Sequence, residues 1–217
     1  MLKLFISKHE SEVEELAAFC TAKNIELTAK SLIEFESIDF EIKEPFDIIF
    51  FSSPRSVMFF LRSQSLPKDT VIATVGKTTG KLLKELGYNP VFEGEGSDPE
   101  SIAEAFELFA KDKRILFPLS EQSLRSISSR LPSDRIEEIR VYRTCPKQVN
   151  IEPQDYYVFT SPSNFEAFFS SNSFSEHAHI ISWGKSTFQA IKSKGFENKI
   201  LPEPGISELI NMLDPIL

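Results

Sequence analysis

The chain has 217 residues, 41% hydrophobic and 26% charged, with 24 Lys and Arg against 32 Asp and Glu for a net charge of −8. That length buries a sizeable core as one large domain or two small ones, and the composition excludes disordered and collagen-like chains. The acidic balance argues against non-specific nucleic-acid binding, and no apolar run approaches the roughly 18 residues that a membrane-spanning helix needs.

Leu2–Ser7 reads as a strand leading into an amphipathic helix over Glu12–Lys23, where Val13, Leu16, Ala17 and Phe19 recur at helical spacing. This opening lacks an apolar stretch followed by a small-residue cleavage site, so no secretory leader is expected. Ile25–Phe35 holds one or two extended pieces. Phe46–Ser53 (FDIIFFSS) is a near-continuous apolar strand of the kind buried on both faces of a parallel sheet. Pro54 opens the helix that follows, where its missing N–H costs nothing. A strand over Thr70–Gly76, a helix over Lys77–Leu86 ended by Gly87, and a short extended piece over Pro90–Glu93 come next. Helices are predicted over Pro99–Ala110 and Gln122–Leu131, and strands over Arg114–Leu119 and Ile136–Tyr142.

The phrase then returns. DYYVFTSP (Asp155–Pro162) echoes FDIIFFSSP, and HIISWGKST (His179–Thr187) echoes VIATVGKTT (Val71–Thr79). Pro162, Gly184 and Gly195 each follow Pro54, Gly76 and Gly87 by 108 residues, and KLFISKHE resembles RILFPLSE at an offset near 111. Such self-similarity implies a duplicated α/β fold: two similar lobes, each a parallel sheet flanked by helices. Polar links mark residues 36–42 and 143–146 as the crossings. One lobe is then the discontinuous pair 1–35 and 147–217, and the other is the inserted 43–142. These links favour that arrangement over a sequential split near residue 110.

Chemistry is sparsely written. Cys20 and Cys145 form no CxxC, and His177 and His179 share one side of a strand without a third ligand, so no metal site and no cofactor are expected. Few cysteines suit a reducing cytoplasm. TVGKTTGKLL lacks the spacing of a phosphate loop, and no GxGxxG follows the first strand. What repeats is a strand end running into a helix start with small hydroxyl residues: Ser52 and Ser53, Thr78 and Thr79, Thr160 and Ser161, Ser186 and Thr187. Each one alone reads as a helix cap. Together they line carboxyl ends of parallel strands, where free N–H groups and helix dipoles favour carboxylates or phosphates. Tyr142, at a strand end beside a crossing, is either a packing residue or a phenol placed to donate a proton at the mouth of an interlobe cleft.

FFSSPRSV (Phe50–Val57), IATVGKTTGKLLKELGY (Ile72–Tyr88), ILFPLSEQSLRSIS (Ile115–Ser128), VYRT (Val141–Thr144), VFTSPSNFEAFF (Val158–Phe169) and ISWGKSTFQAIKSKGF (Ile181–Phe196), taken in order, resemble the uroporphyrinogen-III synthase family over nearly the whole chain. The resemblance implies two α/β lobes, one of them discontinuous in sequence, joined by a two-strand connection, with substrate in the cleft between them. It implies cofactor-free cyclisation of the linear tetrapyrrole hydroxymethylbilane, with loss of water and inversion of the last pyrrole. It places the family's tyrosine at Tyr142, and substrate carboxylates near Ser161, Ser186 and Thr187. Lys77, Lys185, Arg55 and Arg143 are the nearest cations to offset the anionic substrate. Ser120, Arg125, Lys77, Lys185 and Trp183 depart from the family pattern. A monomer with no nucleic-acid or membrane partner is expected. The competing readings are a non-catalytic or divergent two-lobed ligand-binding protein, and a structural protein whose strand-end hydroxyls are caps alone.

Overall fold

A computed structural model describes residues 1–67, 69–96 and 98–215. Their contacts divide them into two compact units, Met1–Glu34 with Cys145–Leu217, and Phe35–Thr144. The chain passes between them inside β3 (Ile33–Ser37) and β8 (Ile136–Pro146), which are neighbours in one sheet.

The first unit holds β1 (Lys3–Ile6), α1 (Glu14–Ala22), β2 (Glu26–Ala29), β9 (Tyr156–Phe159), α5 (Pro162–Ser171), β10 (His179–Ser182), α6 (Lys185–Ser193), β11 (Lys199–Ile200) and α7 (Ile206–Leu213). Its sheet runs β11-β10-β9-β1-β2, and each of these pairs is parallel. The second unit holds β4 (Ile48–Phe51), α2 (Pro54–Ser63), β5 (Val71–Thr74), α3 (Lys77–Glu85), β6 (Phe92–Glu93), α4 (Pro99–Ala110) and β7 (Ile115–Ser120). Its sheet runs β6-β5-β4-β7-β8, again with parallel pairs, and β3 adds an outer edge strand. Equating β9 with β4 and β1 with β7 makes the two strand orders identical, which is the 108- and 111-residue echo expressed in three dimensions. Each sheet reverses its winding at one place, between β1 and β9 or between β7 and β4. Crevices outside carboxyl strand ends at such reversals are where open α/β sheets hold ligands.

Both faces of each sheet are buried, which is why the strands read as continuous apolar runs. In the first unit α1 and α7 cover one face and α5 and α6 the other. In the second, α4 covers one face and α2 and α3 the other. The abundant phenylalanine fills these layers. Phe5, Tyr157, Phe159, Phe165 and Phe168 are fully buried in the first unit, and Phe50, Phe106 and Phe117 in the second. Ring centroids such as Phe50–Phe106 at 4.6 Å lie in the favourable range for tilted aromatic pairs.

One predicted element is absent. Gln122–Leu131 is not an α-helix: it forms turns and a single 3₁₀ turn over Ser128–Arg130. Serine side chains take backbone N–H groups there. Ser120 Oγ accepts from the Gln122 N–H at 3.2 Å and Ser123 Oγ from the Arg125 N–H at 3.1 Å. Arg125 itself sits at φ 56°, in the left-handed region. Such local bonds compete with helix formation.

Cys20 lies on α1 in the first unit's core, and burial pushes its thiol up to about 11. The thiol, not the thiolate, is then the form at neutral pH. Cys20 therefore resists alkylation at pH 8 in the native protein and reacts promptly in denaturant. Mass spectrometry of the two reactions checks this, and equal labelling in both would contradict it.

Candidate functional site

In the second unit the carboxyl ends of β4, β5 and β7 open onto a cavity of about 660 Å³. Ser52, Ser53 and Pro54 line it from the β4–α2 junction, and Val75, Gly76, Lys77, Thr78 and Thr79 from the β5–α3 junction. Gly96 and the α4 residues Pro99 and Ile102 form a third side. Phe117, Leu119 and the 123–128 loop close the rest. Its floor is apolar and its rim is rich in hydroxyls and helix starts.

The helix starts differ chemically. Ser53 is the N-cap of α2, and its side chain accepts from the Ser56 N–H at 3.1 Å. Asp98 caps α4. Bonds from the Ser101 hydroxyl and N–H hold its carboxyl below the usual carboxylate range. Gly76 is the N-cap of α3 and offers no side chain, so this helix start is not satisfied by a side-chain cap. Such a start attracts an anion. Thr79 in its first turn is buried, while Lys77 and Thr78 are exposed.

The first unit repeats the pattern. Ser161 caps α5 and accepts from the Asn164 N–H at 3.2 Å. Gly184 begins α6 without a side-chain cap, followed by exposed Lys185 and Ser186 and buried Thr187. At the β1–β9 reversal, Ser7 and Thr160 are laced together: the Thr160 N–H donates to Ser7 Oγ at 2.9 Å, and its hydroxyl donates to the Ser7 carbonyl at 2.8 Å.

The cavity thus gathers Ser52, Ser53, Lys77, Thr78 and Thr79. Ser161, Lys185, Ser186 and Thr187 belong to the other unit. Tyr142, Arg55 and Arg143 lie in the second unit away from the cavity lining. Tyr142 is 6% exposed and packs on the α2–α3 face. Its ring is stacked on Phe59 at 5.1 Å and edge-on to Phe35 at 6.1 Å. The Arg55 guanidinium sits 3.5 Å from the Phe35 ring centroid and 6.0 Å from that of Tyr142. Arg143 pairs with Glu36 at 2.9 Å, so much of its charge is spent locally. Among the described residues no group of three or more His, Cys, Asp and Glu side chains could hold a metal ion. Nor is any helix among them long and apolar enough to cross a membrane.

Sequence pattern alone gives the 123–128 loop no binding role, yet its Ser123, Arg125, Ser126 and Ser128 line the cavity. The available signal was the density of serine before Pro132, which suits a hydrogen-bonded loop better than a helix.

The family profile described as uroporphyrinogen-III synthase HemD matches residues 14–211. The uroporphyrinogen-III synthase of Chlorobaculum parvum is 30% identical over 186 residues, covering 71% of this chain and 73% of that one. Among solved structures, the uroporphyrinogen-III synthetase of Helicobacter pylori shares the fold over 100% of both chains, with a TM-score of 0.78 at 17% identity. A mutant uroporphyrinogen-III synthase of Thermus thermophilus does so over 100% of this chain and 99% of the other, with a TM-score of 0.59 at 14% identity.

Proposed function

Because the chain belongs to the uroporphyrinogen-III synthase family, we propose that it closes hydroxymethylbilane to uroporphyrinogen III, losing water and inverting the last pyrrole ring. The profile match across residues 14–211 is the observation that carries this reading. The duplicated anion-favouring strand ends and the 660 Å³ cavity are consistent with it.

The chemistry asks little of a conventional catalytic group. Once the terminal hydroxyl leaves, the pyrrole nitrogen stabilises the resulting cation. The protein's task is to hold the chain so that the correct ring carbon meets that cation, which is catalysis by orientation. Eight substrate carboxylates give the handles. We assign them to the uncapped starts of α3 and α6 and to the hydroxyls of Ser52, Thr78, Ser186 and Thr187, with Ser53 and Ser161 holding the adjoining helix starts. Lys77 and Lys185 stand in the first turns of those uncapped helices and supply local positive charge against the acidic background. Tyr142 is the residue we assign to departure of the hydroxyl. We read the protein as a monomer whose partner is this anionic linear tetrapyrrole, and its location as the cytoplasm, which the scarcity of cysteine favours.

Incubation with freshly made hydroxymethylbilane, followed by separation of porphyrin isomers, tests the activity. Unassisted closure gives the type I isomer, so type III product is the expected result and type I alone would refute the reading. Charge in the recognition is tested separately. Inhibition by a non-reacting linear tetrapyrrole weakens as salt rises from low levels to about 0.5 M, because mobile ions screen exposed lysine–carboxylate contacts. A flat response would assign recognition to hydroxyl and N–H groups alone.

A further inference from the structure

We propose that Glu138 is a positioning residue. It fixes the 121–131 loop, and with it Arg125 and Ser128, as the wall of the cavity that takes part of the tetrapyrrole; the ligand's identity rests on the activity proposed above.

The duplication supplies the reason. In the first unit Ala29 of β2 sits beside Ile6 of β1, and both belong to the core that α1 covers. The matching pair in the second unit is Glu138 of β8 beside Phe117 of β7. Where one repeat buries a methyl group beneath a helix, the other carries a carboxylate beneath a loop. A carboxylate beside the apolar side chains of the α4-side core is costly unless it is paired. Glu138 is well paired. It accepts from Arg125 Nε at 2.8 Å, from the Ser128 hydroxyl, and from Arg140 Nη2 at 3.4 Å. The Glu138 side chain is 14% exposed and that of Arg125 51%, so the carboxylate end is shielded while the guanidinium still meets solvent.

Other ties to β8 lie at the start of the loop, where the Glu121 N–H donates to the Tyr142 carbonyl at 2.8 Å and Gln122 Oε1 accepts from the Thr144 N–H at 3.0 Å; further along, Glu138 supplies the side-chain bonds from the sheet to Arg125 and Ser128. Ile127 and Leu131 are buried in the α4-side core, but Leu124 is 90% exposed. Both residues that Glu138 grips from the loop, Arg125 and Ser128, line the cavity, as does its neighbour Phe117. Arg125 holds a left-handed backbone conformation, which an L residue keeps only when its surroundings over-determine it. Removing the carboxylate releases both cavity-lining contacts at once and leaves the sheet intact.

The test uses the whole chain with Glu138→Ala and Glu138→Gln. The wall contributes binding in both ground and transition states, so KM for hydroxymethylbilane rises by about 10-fold in Glu138→Ala while kcat stays within about 3-fold. Glu138→Gln keeps an acceptor for Ser128 and recovers part of that loss. Hydrogen exchange supplies a readout independent of turnover. Amides of 121–131 exchange faster in Glu138→Ala, those of α1 do not change, and a non-reacting linear tetrapyrrole slows exchange of 121–131 in the wild type. An unchanged KM, a fall in kcat alone, or unaltered exchange in 121–131 would each overturn the assignment. Should Glu138→Ala fail to fold, the same comparisons are read from Glu138→Gln and from Ser128→Ala, which removes one of the two grips. If the wild type forms no type III isomer, the activity reading fails on its own. The exchange difference between wild type and variant still decides whether Glu138 sets the loop.

Discussion

Replacing Tyr142 by Phe slows ring closure under single-turnover conditions by about 10- to 100-fold, equivalent to about 1.4–2.8 kcal/mol of barrier. The substitution removes one oxygen and keeps the ring. Stacking on Phe59, the edge contact with Phe35 and the approach of Arg55 all involve the ring face or edge, and they survive in Phe. Folding and affinity for a non-reacting linear tetrapyrrole therefore stay near wild type, and the loss falls on the transition state. The expected factor is below that of a strong general acid because the hydroxyl departs from an already activated carbon. Saturating enzyme is needed, since slow product release hides a chemical step in steady-state rates. Wild-type single-turnover speed in Tyr142→Phe, with type III product intact, would leave the 6%-exposed phenol a packing residue.

The same residues explain what a reader of the sequence could and could not see. FDIIFFSSP and DYYVFTSP announce buried parallel strands followed by Pro-opened, Ser-capped helices, and Ser53 and Ser161 are those caps. Duplication was legible because the strand ends repeat residue for residue: Gly76 and Gly184 start matching helices. The role of those glycines was less visible. Hydroxyls at Thr78, Thr79, Ser186 and Thr187 look like caps, yet the capping position is glycine and the threonines and serine lie inside the first turn. The false helix at 122–131 had a definite cause. Leu124, Ile127 and Leu131 recur at helical spacing, but that pattern counts only if all three face one core. Ile127 and Leu131 do, while Leu124 faces solvent, because serine–backbone bonds turn the chain first. Nor could spacing reveal Glu138. Alternation over Ile136–Val141 identifies a strand, but not that its inner face carries a carboxylate serving a loop from the preceding connection.

Installing at residue 75 the side chain that its repeat partner already carries closes the cavity: Val75→Trp weakens binding of a non-reacting linear tetrapyrrole by about 10- to 100-fold. Val75 lines the cavity, and Trp183 stands 108 residues later at the same strand end. Both positions precede a glycine in extended backbone, Gly76 at φ 175° and Gly184 at φ −166°, so the local chain geometry accepts an indole. In the first unit that indole packs against the core under α1 and α7, with Lys8 Nζ 5.7 Å from its ring. In the second unit the corresponding space adjoins the cavity floor of Phe117, Leu119 and Ile102. A ring displaced from that floor loses the burial of one aromatic-sized group, about 1.5–3 kcal/mol, and this sets the size of the effect. Val75→Leu fills less of the space and gives a smaller loss, so the series separates filling from disruption. Titration of the probe with wild type and both variants, alongside their melting temperatures, is the measurement. Undiminished affinity in a normally melting Val75→Trp would show that the tetrapyrrole does not use this cavity. A graded loss at constant melting temperature places a pyrrole ring within it.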